Sequence, residues 1–247
     1  MAKTIAITGG GAGLGLAMAQ RLAADQNELF LLGRTGSTLH AAVERIAGPG
    51  GRAHAVVCDV GDPASVDAAF ARVAQLTPRL DVLINNAGVF APFFLAEATN
   101  EQIGQTLNTN LAGPMYCSRA ALKLMERGGH ILCIGSETVV ITAAMLGAYQ
   151  ASKAGLERFC KTLEQEVAAL GIRVTLIRAG KMYGPDMDFA MAPDIARRFA
   201  EESLKVGVDN RTSAITTFSS VAELIPGLLA LPEDVNVPEI MLAGRHA

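Results

Sequence analysis

A tyrosine and a lysine lie four residues apart in the segment Tyr149-Gln150-Ala151-Ser152-Lys153. Residues four apart on a helix share one face, so the phenol and the ammonium group would be neighbours. The pKa of a tyrosine phenol is about 10, and a fixed cation beside it favours the phenolate. The pair therefore indicates a group that donates or accepts a proton near neutral pH. The same spacing also arises by chance in helices, where the lysine is only solvated.

A glycine-rich segment follows the first apolar run, which ends at Thr8. Gly9, Gly13 and Gly15 lie where the chain would turn from a strand into a helix. Glycines allow a sharp turn and a close approach to a ligand. The helix N-terminus behind them would offer N–H groups and a positive dipole end to a phosphate. The spacing predicts a phosphate-binding turn; the alternative is a turn that is merely tight.

The end of the second apolar run bears on the choice of nucleotide. In dinucleotide-binding folds a carboxylate at this point takes the ribose 2′-hydroxyl, but here Gly33 is followed by Arg34 and Thr35. A guanidinium pairs with a phosphate in a fork, so Arg34 favours NADP(H) over NAD(H), unless it is a solvated residue at a helix start. Asp59, after the third run, would contact the adenine end or serve as a turn residue.

Further polar residues follow other apolar runs. Ser136 follows the fifth run, Asn85-Asn86-Ala87-Gly88 ends the fourth, and Asn110 precedes a helical pattern. Because the carboxyl ends of parallel strands converge on one crevice, we expect these residues near Tyr149. Ser136 is alternatively a cap of a turn. Asn110 is alternatively a helix N-cap, which is compatible with a place in the site.

Short apolar runs alternate with helical patterns along the whole chain. The runs are apolar on both faces, as in a parallel sheet that helices cover on both sides. The predicted strands are Thr4–Thr8, Leu29–Gly33, Ala53–Cys58, Val82–Asn85, His130–Ile134, Val174–Ile177 and Glu239–Leu242. The predicted helices are Gly13–Ala24, Ala64–Gln75, Thr99–Leu107, Leu111–Glu126, Gly147–Leu170 and Ser220–Leu229. The alternation predicts an α/β sheet with helices on both faces, in a single domain over residues 1–247.

Four local signals fix helix ends. Asp62 before Pro63 predicts an N-cap, and Gly171 predicts the residue after a helix C-terminus. Ser220 with Glu223 fits a capping box. Pro226-Gly227 should kink or shorten the last helix.

Composition excludes several functions. The 247 residues are 50% apolar and 18% charged with a net charge of −3, so we expect neither nucleic-acid binding nor a charged membrane anchor. We expect no signal peptide, because the first residues break into glycine after Thr8, and no membrane span, because no apolar stretch is long enough. The cysteines form no CxxC pair and the histidines show no ligand spacing, so we expect reduced thiols, a cytoplasmic protein and no metal site.

The order and spacing of these motifs resemble the short-chain dehydrogenase/reductase family, in its ordinary form with a chain of this length. The matching motifs are Thr8-Gly9-xxx-Gly13-x-Gly15, Asn85-Asn86-Ala87-Gly88, Asn110, Ser136 and Tyr149-xxx-Lys153. The resemblance implies a doubly wound Rossmann-type fold, with a mostly parallel sheet of seven strands. It also implies hydride transfer between NADP(H), or less favourably NAD(H), and a carbonyl or secondary alcohol.

The resemblance implies a role for each matching residue. Tyr149 would be the general acid in reduction and the general base in oxidation. Lys153 would lower the tyrosine pKa and hydrogen-bond the nicotinamide ribose. Ser136 would hold the substrate oxygen, and Asn110 would sustain a proton relay through a local helix distortion and a water.

The resemblance also implies the cofactor contacts and the assembly. The implied cofactor-binding residues are Gly9, Gly13, Leu14, Gly15, Arg34, Asp59, Val60, Asn86, Ala87, Gly88, Tyr149, Lys153, Gly180 and Met182. No metal is needed. A homodimer or homotetramer is expected, with the helices at Leu111–Glu126 and Gly147–Leu170 as dimer faces.

The segment after the sixth strand departs from the family. Ala179 replaces the usual proline before Gly180, and Gly184 replaces a threonine. Loss of the proline favours a more mobile loop, and loss of the threonine removes one contact to the carboxamide. The backbone of Gly180 and Met182 would still reach the nicotinamide. We expect Arg178 to be solvated or packed on another loop rather than to meet an acidic substrate group or a cofactor phosphate.

Residues 179–217, here called the lid segment, lie outside the strand–helix rhythm. This segment is rich in methionine and aromatic residues: Met182, Tyr183, Met187, Phe189, Met191 and Phe199. Such residues form an adaptable apolar cover, which favours a hydrophobic or aromatic ketone or alcohol as the substrate. The alternative is that they are core packing of two lid helices. Glu137 would shape a polar end of the pocket.

Two other functions compete with the redox enzyme. A nucleotide-binding sensor or scaffold with weak catalysis usually has a broken tyrosine–lysine pair, and here the pair is intact. An epimerase, dehydratase or enoyl reductase would keep the fold but change the reaction. Enoyl reductases space the tyrosine and lysine more widely, and epimerases have longer chains.

Overall fold

Seven parallel strands form the central sheet of the protein. The computed structural model describes residues 2–46, 52–184, 191–209 and 213–245. The strands of the sheet are β1 (Thr4–Thr8), β2 (Glu28–Gly33), β3 (Ala53–Val57), β4 (Val82–Asn85), β5 (His130–Ile134), β6 (Arg173–Ala179) and β9 (Glu239–Leu242). They lie in the order β3-β2-β1-β4-β5-β6-β9. Two short strands, β7 (Met182–Tyr183) and β8 (Thr216–Thr217), pair separately in the lid segment.

Helices cover both faces of the sheet. They are α1 (Gly13–Ala23), α2 (Gly36–Ile46), α3 (Pro63–Leu76), α4 (Asn100–Leu107), α5 (Gly113–Ala121), α6 (Gly147–Val167), α7 (Pro193–Lys205), α8 (Phe218–Ala222) and α9 (Leu224–Leu229). One core packs α3, α5 and α6 against the sheet through residues such as Phe70, Cys117 and Leu156. The other packs α1, α2, α8 and α9 through residues such as Met18, Leu39 and Ile225. The predicted α/β architecture is therefore confirmed.

The order in which the strands are added to the sheet reverses between β1 and β4. β1 pairs with β2 on one side and with β4 on the other, so the chain runs outward to β3 and then returns to the middle. In such sheets a crevice opens at the carboxyl ends of the two central strands, where ligands bind. Thr8 and Asn85 are the last residues of these strands, so the motifs after them face the same crevice.

Most predicted boundaries agree with the structure to within two residues. Four of the seven sheet strands have the predicted limits, because runs that are apolar on both faces end sharply at polar or glycine residues. The Asp62 carboxylate accepts the N–H of Ala64 and caps α3, with Pro63 in the first turn, as predicted. Gly171 has φ +68° and ends the 3₁₀ turn that follows α6, also as predicted.

The interruption that Pro226-Gly227 predicted in the last helix is present, but the predicted start at Ser220, with Glu223 in a capping box, is wrong. In place of one helix over Ser220–Leu229, α8 and α9 are separated at Glu223. The N-cap is Thr217, whose hydroxyl accepts the N–H of Ser220. Pro226 has no N–H to give to the carbonyl of Ala222 four residues earlier, which explains why the helix breaks there.

The predicted helix Leu111–Glu126 begins later and ends earlier than expected. A π-helical turn occupies Asn108–Ala112, and the α-helix α5 then runs over Gly113–Ala121. The helices α2 and α7 were not predicted. Within the described ranges, no helix combines the length and apolarity needed to cross a bilayer.

Candidate active site

Helix α6 brings Tyr149 and Lys153 to the end of β5. Their spacing puts them on one face of the helix, and the Lys153 ammonium lies 6.0 Å from the centroid of the Tyr149 ring. The Lys153 Nζ donates a 2.8 Å hydrogen bond to the carbonyl of Ile134, the last residue of β5. The lysine is only 5% exposed, which excludes the interpretation of a solvated helix residue.

Burial shifts the pKa of both groups. It lowers the pKa of Lys153 from its ordinary 10.5 to about 8, while the nearby Cys133 and Cys160 raise it. Burial raises the pKa of Tyr149, and the Ser136 side chain opposes that shift. At neutral pH the free protein thus presents a protonated phenol above a buried, charged lysine, an arrangement suited to proton donation.

Ser136 caps the short turn Glu137–Val140. Its Oγ accepts the N–H of Thr138 at 3.2 Å and lies 2.9 Å from the Thr138 hydroxyl. Gln150, next to Tyr149, donates from Nε2 to the carbonyls of Thr138 and Ile141. The turn-cap interpretation of Ser136 is therefore correct locally, and the same hydroxyl also acts on the phenol of Tyr149.

Asn110 lies in the π-helical turn between α4 and α5 and is completely buried. Its Oδ1 accepts the N–H of Val89, and its Nδ2 donates to the carbonyl of Val89 and to the Ser152 hydroxyl. Ser152 in turn donates to the carbonyl of Tyr149 at 2.6 Å. Asn110 is not the N-cap of a helix that starts at Leu111, because the backbone before it is already helical. It connects the segment after β4 to the helix that carries the tyrosine.

The glycine turn has the conformation that a phosphate site requires. Gly9 and Gly13 have φ +66° and +55°, which other residues rarely adopt. A Cβ on Gly15 would lie 2.1 Å from the carbonyl oxygen of Gly9, so only glycine fits. Within the described residues, no side chain caps the first turn of α1 and no acidic residue lies in it. This turn therefore presents free backbone donors, and Leu14 contributes only its backbone because its side chain is in the core.

Thr8 and Asn86 hold this turn against the end of β4. The Thr8 hydroxyl accepts the N–H groups of Asn86 and Ala87, both at 3.0 Å. The Asn86 side chain donates to the carbonyl of Thr8 at 2.9 Å. Asn86 therefore supports the glycine turn from behind, while Ala87 and Gly88 face the crevice.

A cavity of about 140 Å³ opens beside the glycine turn. Its lining residues come from the carboxyl ends of four strands and from the π-helical turn: Gly9, Gly33, Arg34, Cys58, Asp59, Val60, Ala87, Gly88, Val89 and Thr109. Arg34 is exposed at its rim and, among the residues that the structure describes, has no hydrogen-bond or ion-pair partner. Its guanidinium is thus available to an anionic group in the cavity.

Asp59 and Val60 combine a structural role with a place in the cavity wall. The Asp59 carboxylate accepts the N–H of Gly61 at 2.9 Å, and the Asp59 N–H donates to the Ser65 hydroxyl. Both the turn and the cavity interpretations of Asp59 thus apply. Val60 is buried, and a Cβ on Gly113 would come within 3.0 Å of it, so α5 packs closely on this loop.

Two charged residues near the ends of β6 and β5, Arg178 and Glu137, have partners that the sequence did not predict. Arg178 pairs with Glu157 at 2.9 Å and with Glu239 at 2.8 Å, so it is engaged within the fold and faces neither the cavity nor solvent. Glu137 was predicted to shape the substrate pocket. Its carboxylate instead accepts the N–H of Lys181 at 3.0 Å.

The glycine at position 184 has a steric reason. A Cβ there would lie 2.2 Å from the Phe218 ring, which α8 places against the loop and near Gly13. The same packing leaves no room for a threonine. Met182 is half-buried against the core of α1 and α8, and its strand β7 pairs with β8.

Three aromatic rings, including that of Tyr149, pack in a row at the reactive end of the site. Phe90 packs edge-on against Tyr149, with ring centroids 5.0 Å apart, and also against Phe199 of α7 at 5.6 Å. Phe199 was predicted in the lid, whereas Phe90 was missed because nothing local distinguishes it. Met187 and Phe189, also predicted in the lid, lie outside the described residues.

Other residues of the site were also missed. Val89, Thr109 and Gln150 contribute backbone groups, lining or loop contacts, and only their proximity in sequence to Gly88, Asn110 and Tyr149 could have indicated them. Within the described residues, no three His, Cys, Asp or Glu side chains are grouped closely enough to hold a metal ion. The four cysteines are free and buried.

Comparison with known proteins places this geometry in a family. The family model for short chain dehydrogenases matches residues 3–196. The chain is 34% identical over 238 residues to the short-chain reductase protein NovJ of Streptomyces niveus, covering 96% of this chain and 85% of that protein. It is 32% identical over 199 residues to carbonyl reductase family member 4 of Danio rerio, covering 80% and 83%.

A solved structure gives the same result. A short chain dehydrogenase from Burkholderia cenocepacia, in complex with NADP, superposes with a TM-score of 0.83 at 29% identity over 98% of this chain and 96% of that one. Three findings point to the same family: the match over most of the chain, the seven-stranded sheet and the motifs at its carboxyl edge. The protein therefore belongs to the short-chain dehydrogenase/reductase family of NAD(P)-dependent oxidoreductases.

Proposed function

We propose that the protein interconverts a hydrophobic or aromatic ketone and its secondary alcohol, with NADP(H) as the preferred cofactor. The observation that carries the proposal is the cluster of Tyr149, Lys153 and Ser136 near a cavity whose rim holds Arg34, a residue with no partner in the described part of the chain. The names of the two relatives, a reductase and a carbonyl reductase, and the NADP bound to the neighbouring structure support the same reading.

The cofactor fits the residues that are present. Glycine at position 15 lets the turn close tightly on Gly9, and the free backbone donors at the start of α1 suit the charge of a pyrophosphate. Arg34 would hold a 2′-phosphate, Asp59 and Val60 would border the adenine, and Ala87 and Gly88 would border the ribose. The backbone of Gly180 and Met182 would border the nicotinamide. When bound, NADPH supplies the hydride.

The side chains supply the proton and its control. Tyr149 gives its proton to the carbonyl oxygen in reduction and takes it back in oxidation. Lys153 holds a positive charge near the phenol and would hydrogen-bond the ribose. Ser136 donates to the substrate oxygen, where negative charge develops. Asn110 keeps the π-helical turn and the Val89 backbone in place beside a relay through water.

The aromatic cluster supports an apolar substrate. Phe90 packs against the Tyr149 ring, and Phe199 of the lid packs against Phe90. An aromatic or aliphatic group would remove its apolar surface from water on entering this site, which favours its binding over that of a small polar substrate.

The first test replaces the proton donor. Tyr149→Phe removes the hydroxyl and keeps the ring, so kcat for NADPH-dependent reduction of acetophenone should fall by at least about 100-fold. NADPH affinity, measured by fluorescence titration, should change little. Tyr116→Phe, on α5 away from the site, is the matched control and should keep full activity. Unchanged turnover in Tyr149→Phe would overturn the assignment.

The second test replaces the proposed phosphate ligand. Arg34→Ala should weaken NADPH binding by about tenfold to a hundredfold, since a charge-assisted hydrogen bond is lost. NADH binding should be unaffected, because NADH lacks the 2′-phosphate. Arg72→Ala on α3 is the control. Preference of the wild type for NADH would reverse the cofactor proposal, and binding of neither nucleotide would favour the scaffold reading.

The setting of the enzyme is a further part of the proposal. We infer a homodimer or homotetramer in which α5 and α6 meet their copies, with the half-exposed Met115 on α5 at the contact. We also infer that it acts in the cytoplasm, which agrees with its four free, buried cysteines.

A further inference from the structure

One side chain joins the two loops that follow β5 and β6. Glu137 is the residue after Ser136, and its Oε1 accepts the N–H of Lys181 at 3.0 Å. The two residues are 44 positions apart in sequence, so this hydrogen bond fixes a non-local approach. Glu137 is half-buried, which strengthens its hydrogen bond relative to one in open water.

The loop after β6 is held from three directions. The N–H of Gly180 donates to the carbonyl of Leu242 in β9 at 2.7 Å. The carbonyl of Lys181 accepts the N–H of Thr216 at 3.1 Å. The third is the bond from Glu137, and of these three it alone comes from a side chain. Ala179 lacks the ring that would restrict the backbone at the start of this loop, so such bonds determine its position.

The carboxylate also lies directly against the glycine of this loop. A Cβ on Gly180 would come within 2.9 Å of Glu137 Oε2 and 2.7 Å of the carbonyl oxygen of Leu242. The backbone at Gly180 is therefore enclosed between β9 and the Glu137 side chain. Glycine at this position allows the two oxygens to approach.

At its other end, Glu137 is fixed to the catalytic residues. Ser136 caps the turn that Glu137 begins, and Gln150, adjacent to Tyr149, binds the carbonyls of Thr138 and Ile141. A displacement of the loop after β6 relative to Ser136 and Tyr149 would therefore require the Glu137–Lys181 bond to break.

We infer that Glu137 is a positioning residue, which holds the Gly180–Lys181 backbone in register with Ser136 and Tyr149. The inference rests on the proposed function, in which this backbone borders the nicotinamide. In place of a proline that would restrict the backbone at position 179, the hydrogen bond from Glu137 on the neighbouring loop holds this loop in position. The required property is an acceptor oxygen at the correct distance, and a negative charge is not itself needed.

The test compares Glu137→Ala, Glu137→Gln and Glu137→Asp. Hydrogen exchange of the peptide that contains the Lys181 amide should be about tenfold faster in Glu137→Ala, because the amide loses its acceptor. Glu137→Gln keeps an oxygen at the same reach and should restore slow exchange. Glu137→Asp keeps the charge, but its oxygens are one methylene further away, so it should behave like alanine.

The same variants are then assayed with NADPH. We expect Glu137→Ala to weaken NADPH binding several-fold by fluorescence titration. It should also lower kcat for acetophenone about tenfold with little change in the ketone KM, and the glutamine variant should recover both. Glu166→Ala, on the exposed side of α6, is the control.

The outcomes separate this inference from the proposed function. Wild-type exchange of the Lys181 amide in Glu137→Ala, or a lower Tm with unchanged NADPH affinity and kcat, would overturn the positioning role. Absence of ketone reduction by the wild type would overturn the proposed substrate. The exchange and NADPH titration would still test Glu137 in that case.

Discussion

Lys153 is buried and donates a hydrogen bond to a backbone carbonyl. It lies below the Tyr149 ring and donates to Ile134 at 2.8 Å, so its charge is fixed where the phenol can use it. A charge at 5% exposure is destabilising unless it is compensated, and burial accordingly lowers the pKa of the lysine to about 8. Here stability is lost for a charge that serves the chemistry.

This cost predicts a pH dependence of stability. Below pH 8 the native protein buries a charge that the unfolded chain keeps in water. Between about 8 and 10.5 the native lysine is neutral while the unfolded one still binds its proton, so native stability rises across this window. Between pH 7 and pH 10.5 the free energy of unfolding of the wild type, measured in urea, should rise by roughly 3 kcal/mol relative to that of Lys153→Met. A constant difference between the two proteins would contradict the pKa shift.

Sequence patterns predicted those site residues whose neighbours are close in the chain. Tyr149 and Lys153 share one helix face, and the glycine turn is a local motif. The partners of charged residues were not predictable in this way. Arg178 reaches Glu157 across 21 residues, and Glu137 reaches Lys181 across 44, so only the packed fold brings them together.

At the scale of elements, two neighbouring residues of α7 attach this helix over the site. Arg198 forms two hydrogen bonds with Glu97, at 2.8 and 2.6 Å, and its guanidinium lies 4.8 Å from the centroid of the Phe94 ring. The neighbouring Phe199 contacts Phe90, which contacts Tyr149. A single turn of α7 thus connects the outside of the lid to the catalytic ring.

Loosening this attachment should affect the ketone more than the cofactor. Arg198→Ala is expected to raise the ketone KM about threefold to tenfold and to speed hydrogen exchange in α7, because a bidentate pair and a cation–π contact are lost. NADPH affinity should stay within twofold. Arg197→Ala on the same helix removes only a pair with Glu201 one turn away and should have little effect. Equal effects of the two variants would show that Arg198 has no special role.

The elements of the sheet were easier to predict than those of the lid. Strands apolar on both faces, such as β4 with the sequence Val82–Asn85, leave little choice of limits. Helix α7 of the lid was not predicted, and α8, which directly follows the lid segment, starts from a threonine cap that competes with the serine three residues later. The choice depends on Phe218 packing on Gly184, which is a tertiary contact.

At the scale of the whole molecule, Arg178 joins three elements at the edge of the sheet. It extends from β6 to Glu157 on α6 and to Glu239 on β9, with side chains that are 15%, 13% and 29% exposed. The outermost strand β9 is therefore held to β6 by backbone hydrogen bonds and is connected to the catalytic helix α6 through the charge of Arg178.

Removing this arginine should destabilise the fold without changing the site. Arg178→Met leaves two partly buried carboxylates without their shared cation, so the free energy of unfolding should fall by about 2 kcal/mol. NADPH affinity should not change. Lys161→Met removes the exposed second cation near Glu239 and should cost less than about 0.5 kcal/mol. A large loss of NADPH binding in Arg178→Met would indicate instead that the arginine serves the cofactor.

The π-helical turn at Asn108–Ala112 means that the helix from α4 to α5 carries one residue more than a regular α-helix over the same path. Deleting a residue from this turn would restore regular hydrogen bonding. Because the extra residue is accommodated within the bulge, the helix after it would keep its path. Gly113 would still lie against Val60, where a Cβ would come within 3.0 Å. The packing of α5 therefore does not depend on the irregularity, whereas the hydrogen bonds of Asn110 to Val89 and Ser152 start from within it.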